Sequence, residues 1–169
     1  MDDDSLVRLV EHLQERCVAG SVTVVTAESC TGGLIAKLIT DVAGSSGYFR
    51  GGVVAYSNDA KSELLGVPEE QLVAHGAVSA QVARAMAVGI LHRTGADLAI
   101  AVTGVSGPGG GSAAKPVGLT YVAVADKDGA EVRRYLWSRD RSGNREATAR
   151  AALELLLERV SSGVESVRR

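Results

Sequence analysis

The sequence predicts an α/β fold: a three-layer α/β/α sandwich around a mixed, mostly parallel sheet of about five strands. Strand-like and helical segments alternate along most of the chain, which is the order that builds parallel sheets. Towards the end, two strand-like runs are joined by Asp126-Lys127-Asp128-Gly129, which is a hairpin signal. The hairpin places one antiparallel strand in an otherwise parallel sheet.

The spacing of apolar residues predicts each element in turn. Helices are predicted at residues 5–19, 31–40, 58–65, 79–94 and 144–160, the third of them capped by Asn58. Strands are predicted at residues 22–27, 53–56, 98–102, 117–125 and 131–137. The stretch 104–116 contains five glycines and two prolines and is predicted to be a loop.

Length and composition indicate a single domain over residues 1–169 with an aliphatic core. Hydrophobic residues make up 46% of the chain, but only one Trp and one Phe are present, so Val, Leu, Ile and Ala must fill the core. A net charge of −2 favours neither nucleic acid nor an anionic membrane as partner. The acidic start, the absence of a long apolar run and only two cysteines predict a soluble, cytoplasmic protein.

Polar groups follow three predicted strands at the points where these strands end. Because ligands of open α/β sheets gather at the carboxyl ends of the strands, these groups are expected at one edge. The first strand is followed by Ser29, the second by Tyr56 and Lys61, and the third by Thr103 and the glycine-rich loop. The candidate site is predicted there.

Ser29 has two interpretations. As the residue before a helix it is an N-cap, and this segment alone favours that role. As a nucleophile, it would be accompanied by the N–H groups of Cys30 and Thr31, which could bind an oxyanion or phosphate, while Gly32 and Gly33 allow close approach. Cys30 is also a candidate nucleophile, although a lone cysteine at such a junction more often fills the core.

Lys61 lies near the start of its predicted helix, where the helix dipole disfavours a cation. If its side chain points into a cleft, this field and burial both lower its pKa, so that it could act as a general base for Ser29. The alternative is a solvated lysine. Tyr56 could orient the amine or share its proton, or could be a strand-end aromatic residue.

Other motifs give weaker signals. The loop 104–116 matches no phosphate-binding spacing. Arg139 and Arg141 could bind an anion, although a solvated pair is the favoured interpretation. His75 and His92 show no metal-ligand spacing, so neither a metal nor a cofactor is expected.

Several segments together resemble the CinA carboxy-terminal domain family. They are TAESCTGG at 26–33, FRGGVVAYSN at 49–58 with Lys61, HGAVS at 75–79, AVTG at 101–104, GP at 107–108 and KPVG at 115–118. The resemblance covers residues 22–124, with the motifs in order and at the expected separations. The chain departs from the family at Val105-Ser106, where Ile-Ala is common, and at Ala113-Ala114, where Pro-Glu is common.

The resemblance implies the stand-alone form of this family, which hydrolyses nicotinamide mononucleotide to nicotinic acid mononucleotide and ammonia. It implies Ser29 as nucleophile, Lys61 as base and Tyr56 and Thr103 nearby. With the strand-end argument it gives a substrate-binding set of Cys30, Thr31, Gly32, Gly33, Thr103, Gly104, Ser106 and Gly107. The expected partner is this nucleotide, and apolar helices are compatible with a homodimer.

Three other functions remain open at this point. A catalytically silent nucleotide-binding or regulatory module would share the strand-end groups but would not need a neutral Lys61. A Ser–Lys amidase or peptidase would use the same dyad on another substrate. A structural or interaction protein is the third alternative, and the polar groups at the strand ends count against it.

Overall fold

The computed structural model describes residues 3–166, in which six helices surround a five-stranded sheet. The helices are α1 (Asp3–Gly20), α2 (Leu34–Asp41), α3 (Asn58–Leu65), α4 (Glu69–His75), α5 (Ala80–Thr94) and α6 (Arg141–Ser166). The strands are β1 (Val24–Glu28), β2 (Phe49–Val54), β3 (Leu98–Gly104), β4 (Leu119–Asp126) and β5 (Gly129–Leu136). A short 3₁₀ turn occupies Ser45–Gly47.

The sheet has the order β2-β1-β3-β4-β5. Strand β1 pairs in parallel with both β2 and β3, whereas β4 is antiparallel to β3 and to β5. This arrangement confirms the predicted mixed sheet of five strands, with the hairpin β4–β5 supplying the antiparallel strand.

The two faces of the sheet carry side chains of different size. In β3, Leu98, Ile100 and Val102 belong to a core with α1, α2 and α6. Ala99 and Ala101 belong to a second core on the opposite face, with α3, α4 and α5. Alternation of side chains along a strand separates the two sets. The helices therefore form layers on both sides, and the small alanines let α5 pack close to the sheet.

Strand β2 begins four residues before the predicted segment 53–56 and ends at Val54. The glycines at positions 51 and 52 weaken the β-branched pattern that would have extended the prediction. A methyl group at Gly52 would overlap the hydroxyl oxygen of Thr26 on the neighbouring strand. Glycine inside this strand is thus required by close approach to β1.

The predicted helix 58–65 is confirmed with the same bounds and differs only in its cap, whereas the predicted helix 31–40 differs from α2 in its first turn. Helix α2 begins only at Leu34, with Gly33 as its N-cap. Helix α3 is capped by Ser57, not Asn58, because the Ser57 hydroxyl accepts the N–H of Ala60 at 3.0 Å. Helix α4 was not predicted, because seven residues with one buried apolar side chain, Leu72, give little periodic signal.

The carboxyl ends of β1, β2 and β3 lie at one edge of the sheet, since the three strands are parallel. From β1 the chain passes to β2 on one side, and then returns to β3 on the other. Such a reversal opens a crevice between adjacent strand ends, here β1 and β3. Within residues 3–166, no helix has the length and apolar character needed to cross a membrane.

Candidate active site

A cavity of about 300 Å³ lies at the carboxyl ends of the parallel strands, at the small end of the range for ligand pockets. Six segments line it: the turn after β1, the residues after β2, the start of α3, the loop before α5, the end of β3 with its following loop, and the start of α6. The lining residues are Ser29, Cys30, Tyr56, Lys61, Ala77, Val78, Thr103, Gly104, Val105, Ser106, Gly107, Gly109, Gly110 and Arg141.

Ser29 lies in a turn between β1 and α2. Its N–H donates to the carbonyl of Val102 on β3 at 3.1 Å, and the carbonyl of the preceding Glu28 accepts the N–H of Ala55 at 2.9 Å. Because α2 begins five residues later, Ser29 does not cap this helix. Its side chain is free to face the cavity, and its hydroxyl contacts Lys61.

Lys61 is almost completely buried, with 1% of its surface exposed. Its Nζ lies 3.0 Å from the Oγ of Ser29, 3.0 Å from the carbonyl oxygen of Ala55 and 3.3 Å from that of Tyr56. No carboxylate of the described chain forms an ion pair with this amine. Burial therefore lowers the pKa of Lys61 below its usual value of 10.5.

Glu28, the last residue of β1, is a buried carboxylate that was not among the predicted site residues. It is 1% exposed and accepts four hydrogen bonds from the turn and the first residues of α2. The donors are Thr31 Oγ1 at 2.7 Å and the backbone N–H groups of Gly33, Ile35 and Ala36 at 3.0, 3.1 and 2.8 Å. A carboxylate is favourable at a helix N-terminus, which stabilises this end of α2.

The thiol of Cys30 lies in the cavity wall but is only 7% exposed. Burial raises its pKa to about 11, although a hydrogen bond with Ser106 partly opposes this shift. A thiol with this pKa stays protonated near neutral pH, and a protonated thiol is a poor nucleophile. Of the two adjacent candidates, the geometry favours Ser29.

Tyr56 contributes mainly through its backbone. Its carbonyl is one of the acceptors of Lys61, while its side chain is 60% exposed. The phenol oxygen accepts a hydrogen bond from Arg141 Nη2 at 3.2 Å. The side chain thus lines the mouth of the cavity and contacts α6, and the amine is oriented by the main chain.

The β3 end and its loop form another part of the cavity wall. The hydroxyl of Thr103 donates to the carbonyl of Ala77 at 2.8 Å, which joins this wall to the loop before α5. At Gly104 a methyl group would lie 2.6 Å from the hydroxyl oxygen of Thr120, so a side chain cannot fit. Gly107 has a positive φ of 84°, and Ser106 is 8% exposed.

Three residues at the start of α6 hold separate parts of the site together. Arg141 Nη1 donates to the carbonyl of Gly107 at 2.7 Å, and Asn144 Nδ2 donates to that of Ser106 at 3.0 Å. Arg145 Nη2 donates to the carbonyl of Thr31 at 2.6 Å. The sequence favoured a solvated arginine pair here, whereas Arg141 lines the cavity and contacts two of its segments.

Thr31, Gly32 and Gly33 belong to the turn but do not line the cavity. The Thr31 hydroxyl is bound to Glu28, and the two glycines adopt positive φ values of 59° and 93°. These conformations favour glycine and shape the turn behind Ser29. The other predicted site residues, from the ends of β1, β2 and β3, are brought to one cavity.

The described residues contain no group of three or more His, Cys, Asp or Glu side chains that could hold a metal ion. The titratable groups at the cavity are instead an amine, a thiol, a phenol and a guanidinium. This set can bind anions and can transfer a proton between Ser29 and Lys61.

The comparisons with known proteins agree with the fold. The family model described as CinA C-terminal domain matches residues 6–160. A CinA-like protein of Geobacter sulfurreducens is 57% identical over 139 residues, covering 82% of this chain and 34% of that protein. This chain thus spans about a third of the length of the CinA-like relatives that it matches.

Shorter relatives match along nearly their whole length. Nicotinamide-nucleotide amidohydrolase PncC of Escherichia coli strain K12 is 46% identical over 157 residues, which are 92% of this chain and 95% of that protein. The crystal structure of competence/damage inducible protein CihA from Agrobacterium tumefaciens superposes with a TM-score of 0.89 at 45% identity, covering 90% of this chain and 94% of that one.

Proposed function

The chain belongs to the CinA C-terminal domain family, and from this membership we propose that it hydrolyses the carboxamide of nicotinamide mononucleotide. The products are nicotinic acid mononucleotide and ammonia. The observation that carries the proposal is the buried Lys61 Nζ at 3.0 Å from the Ser29 hydroxyl inside a ligand-sized cavity. The choice of substrate is supported by the similarity to the amidohydrolase of Escherichia coli.

In the first step, Lys61 removes the proton of the Ser29 hydroxyl while Oγ attacks the carboxamide carbon. A neutral amine has two N–H donors and one lone pair. The carbonyls of Ala55 and Tyr56 can only accept, so they take the two N–H groups. The lone pair is then left for Ser29, and the lowered pKa of Lys61 increases the neutral fraction that has this lone pair.

The tetrahedral intermediate requires donors for its oxyanion. Within the described chain, no hydrogen bond to another residue uses the N–H of Cys30, which lines the cavity. This amide follows Ser29 directly, and we assign it to the oxyanion. One such donor typically contributes about 3–4 kcal/mol to transition-state stabilisation.

Collapse of the intermediate releases ammonia, which takes the proton from Lys61. Water then attacks the acyl–Ser29 ester and gives a proton to Lys61. The bond to Oγ breaks, Lys61 returns the proton to the Ser29 oxygen, and the acid product leaves. The phenol of Tyr56 is bonded to Arg141, so we route the proton through Lys61 alone. Tyr56 contributes its carbonyl, which orients the amine.

The remaining cavity residues would bind the ribose and phosphate. The cavity is also lined by Thr103, Gly104, Ser106 and Gly107 from the β3 end, and Arg141 supplies a guanidinium there. Arginine suits phosphate because its planar fork can donate two hydrogen bonds. We therefore place the phosphate towards α6 and the carboxamide towards Ser29.

Ammonia release from the nucleotide tests the proposal when wild type is compared with Ser29→Ala. The alanine variant should fold, since Lys61 is the only residue between 3 and 166 that forms a hydrogen bond with the lost hydroxyl. Release by wild type and none by the variant is the expected result. Binding without release in wild type would instead support the silent nucleotide-binding module, and release from other amides alone would support an amidase of another substrate.

A further inference from the structure

We infer that Glu28 is a positioning residue for the nucleophile: its carboxylate fixes the turn 29–33 and thereby the location of Ser29 Oγ. The inference rests on the proposed function, in which Ser29 attacks the substrate. It concerns a side chain that is outside the cavity lining and does not touch the reacting atoms.

The hydrogen bonds of Glu28 join the end of β1 to the turn 29–33 and to the first residues of α2. Oε2 accepts from the Thr31 hydroxyl and from the N–H groups of Gly33 and Ile35, and Oε1 accepts from the N–H of Ala36. No cation of the described residues forms an ion pair with it. Its buried charge is therefore balanced by these four donors and the N-terminal end of α2.

The two members of the dyad are held by different parts of the structure. Lys61 is attached to the carbonyls of Ala55 and Tyr56 beyond β2. Ser29 is carried by the turn, which is held by the Ser29 N–H on Val102, by Arg145 on the Thr31 carbonyl and by the Glu28 carboxylate. If the carboxylate is lost, the turn and α2 can move relative to the sheet while Lys61 stays in place. The 3.0 Å distance of the dyad then depends on Glu28.

Glu28→Gln preserves the shape of the side chain but changes its bonding capacity. The amide has one acceptor oxygen and an NH₂ group, which can only donate. The Thr31 hydroxyl can also accept, but a backbone N–H cannot. Backbone N–H groups donate to both carboxylate oxygens, so the NH₂ of glutamine must oppose at least one of them in either orientation. The strain falls on the turn, where a displacement of about 1 Å can lower a rate by about 100-fold.

Steady-state kinetics on the nucleotide test this role, with two further variants. Glu28→Gln should lower kcat by about 100-fold and leave KM unchanged, because Glu28 is not part of the cavity lining. Thr31→Val removes one of the four donors and should give a smaller loss of kcat. The matched control is Thr26→Val on the same strand, whose buried hydroxyl has no hydrogen-bond partner; it should keep the wild-type kcat.

A second readout does not depend on the identity of the substrate. A fluorophosphonate reacts with an activated serine: the Oγ–P bond forms, the P–F bond breaks, fluoride leaves and the hydroxyl proton passes to Lys61. Glu28→Gln and Thr31→Val should be labelled more slowly than wild type, and Ser29→Ala should not be labelled.

The outcomes separate this inference from the proposed function. If wild type is labelled but releases no ammonia from the nucleotide, only the proposed substrate is contradicted. The labelling rates of the variants would still test the positioning role of Glu28. Labelling and kcat at wild-type levels in folded Glu28→Gln or Thr31→Val would overturn the inference. So would an equal loss in Thr26→Val, because the effect would then reflect strand β1 in general.

Discussion

The carbonyl of Ala55 accepts a hydrogen bond from Lys61 Nζ at 3.0 Å, while the N–H of the same residue donates to the carbonyl of Glu28 at 2.9 Å. Ala55 thereby joins the residue next to Ser29 directly to the amine of Lys61. The position of the amine follows from main-chain groups at the ends of two parallel strands. No carboxylate is needed to hold it, which keeps the pKa of Lys61 low.

The lowered pKa of Lys61 predicts a pH-dependent stability. Between the folded-state pKa and the ordinary value of 10.5, the unfolded chain binds more protons than the folded one. The free energy of unfolding therefore rises with pH across this window, by about 1.4 kcal/mol for each unit of the shift. Below the folded-state pKa, both states are protonated, and the full cost of burying the cation remains.

Lys61→Met isolates this effect because methionine has similar bulk and no charge. Urea denaturation of both proteins from about pH 7 to about pH 10 gives the difference in free energy of unfolding. We expect wild type to gain stability relative to Lys61→Met as the pH rises. Parallel pH curves for the two proteins would mean that Lys61 has its ordinary pKa in the folded state.

Lys61→Arg should remove catalysis while retaining a positive charge. The guanidinium does not lose its proton in proteins, so it cannot accept one from Ser29. Loss of a general base typically lowers kcat by roughly 10²–10⁴-fold. Ammonia release measured over the same pH range should stay low throughout, and a rate near that of wild type would exclude Lys61 as the base.

Local sequence was sufficient to place Ser29 and Lys61 at one edge of the sheet. Strand β1 is a buried run rich in β-branched residues and β3 is mainly apolar, and parallel pairing places the residues that follow them at this edge. The contact between Ser29 and Lys61, 32 positions apart, follows from this topology. The start of β2 was not predictable in the same way. Glycine is required at position 52 by close contact with the neighbouring strand, and a glycine weakens the local strand pattern.

The contacts that α6 makes with the site could not be predicted from local sequence patterns. Arg141 reaches Tyr56 across 85 positions, and Arg145 reaches Thr31 across 114. Periodicity shows which face of α6 is apolar. It does not show which part of the site the first turn of α6 contacts, because that depends on how the helix packs on the sheet. Likewise, composition could only suggest a homodimer, which stays a prediction.

Arg141→Ala tests the placement of the phosphate. It should raise KM for the nucleotide by roughly 10-fold to 100-fold, the range for loss of a charge-assisted hydrogen bond. For the dephosphorylated nucleoside, KM should not change. The control is Arg134→Ala on β5, an exposed arginine that is not part of the cavity lining and should leave both KM values unchanged. Equal effects on both substrates would place the phosphate elsewhere.

The close approach of β1 and β2 predicts a coupled pair of substitutions. Gly52→Ala brings a methyl group onto the hydroxyl of Thr26 and should reduce the free energy of unfolding by about 1–3 kcal/mol. Thr26→Ala removes this obstacle, and the other atoms near the new methyl lie at 3.4 Å or more. The double variant should thus be more stable than the sum of the single changes allows.

Urea denaturation of the two single variants and the double variant gives the coupling between the positions. The Thr26 hydroxyl has no hydrogen-bond partner, so Thr26→Ala alone loses only packing. If the two effects simply add, glycine at position 52 is not explained by contact with β1. A favourable coupling would mean that this contact sets the spacing of the two strands that lead to Ser29 and Lys61.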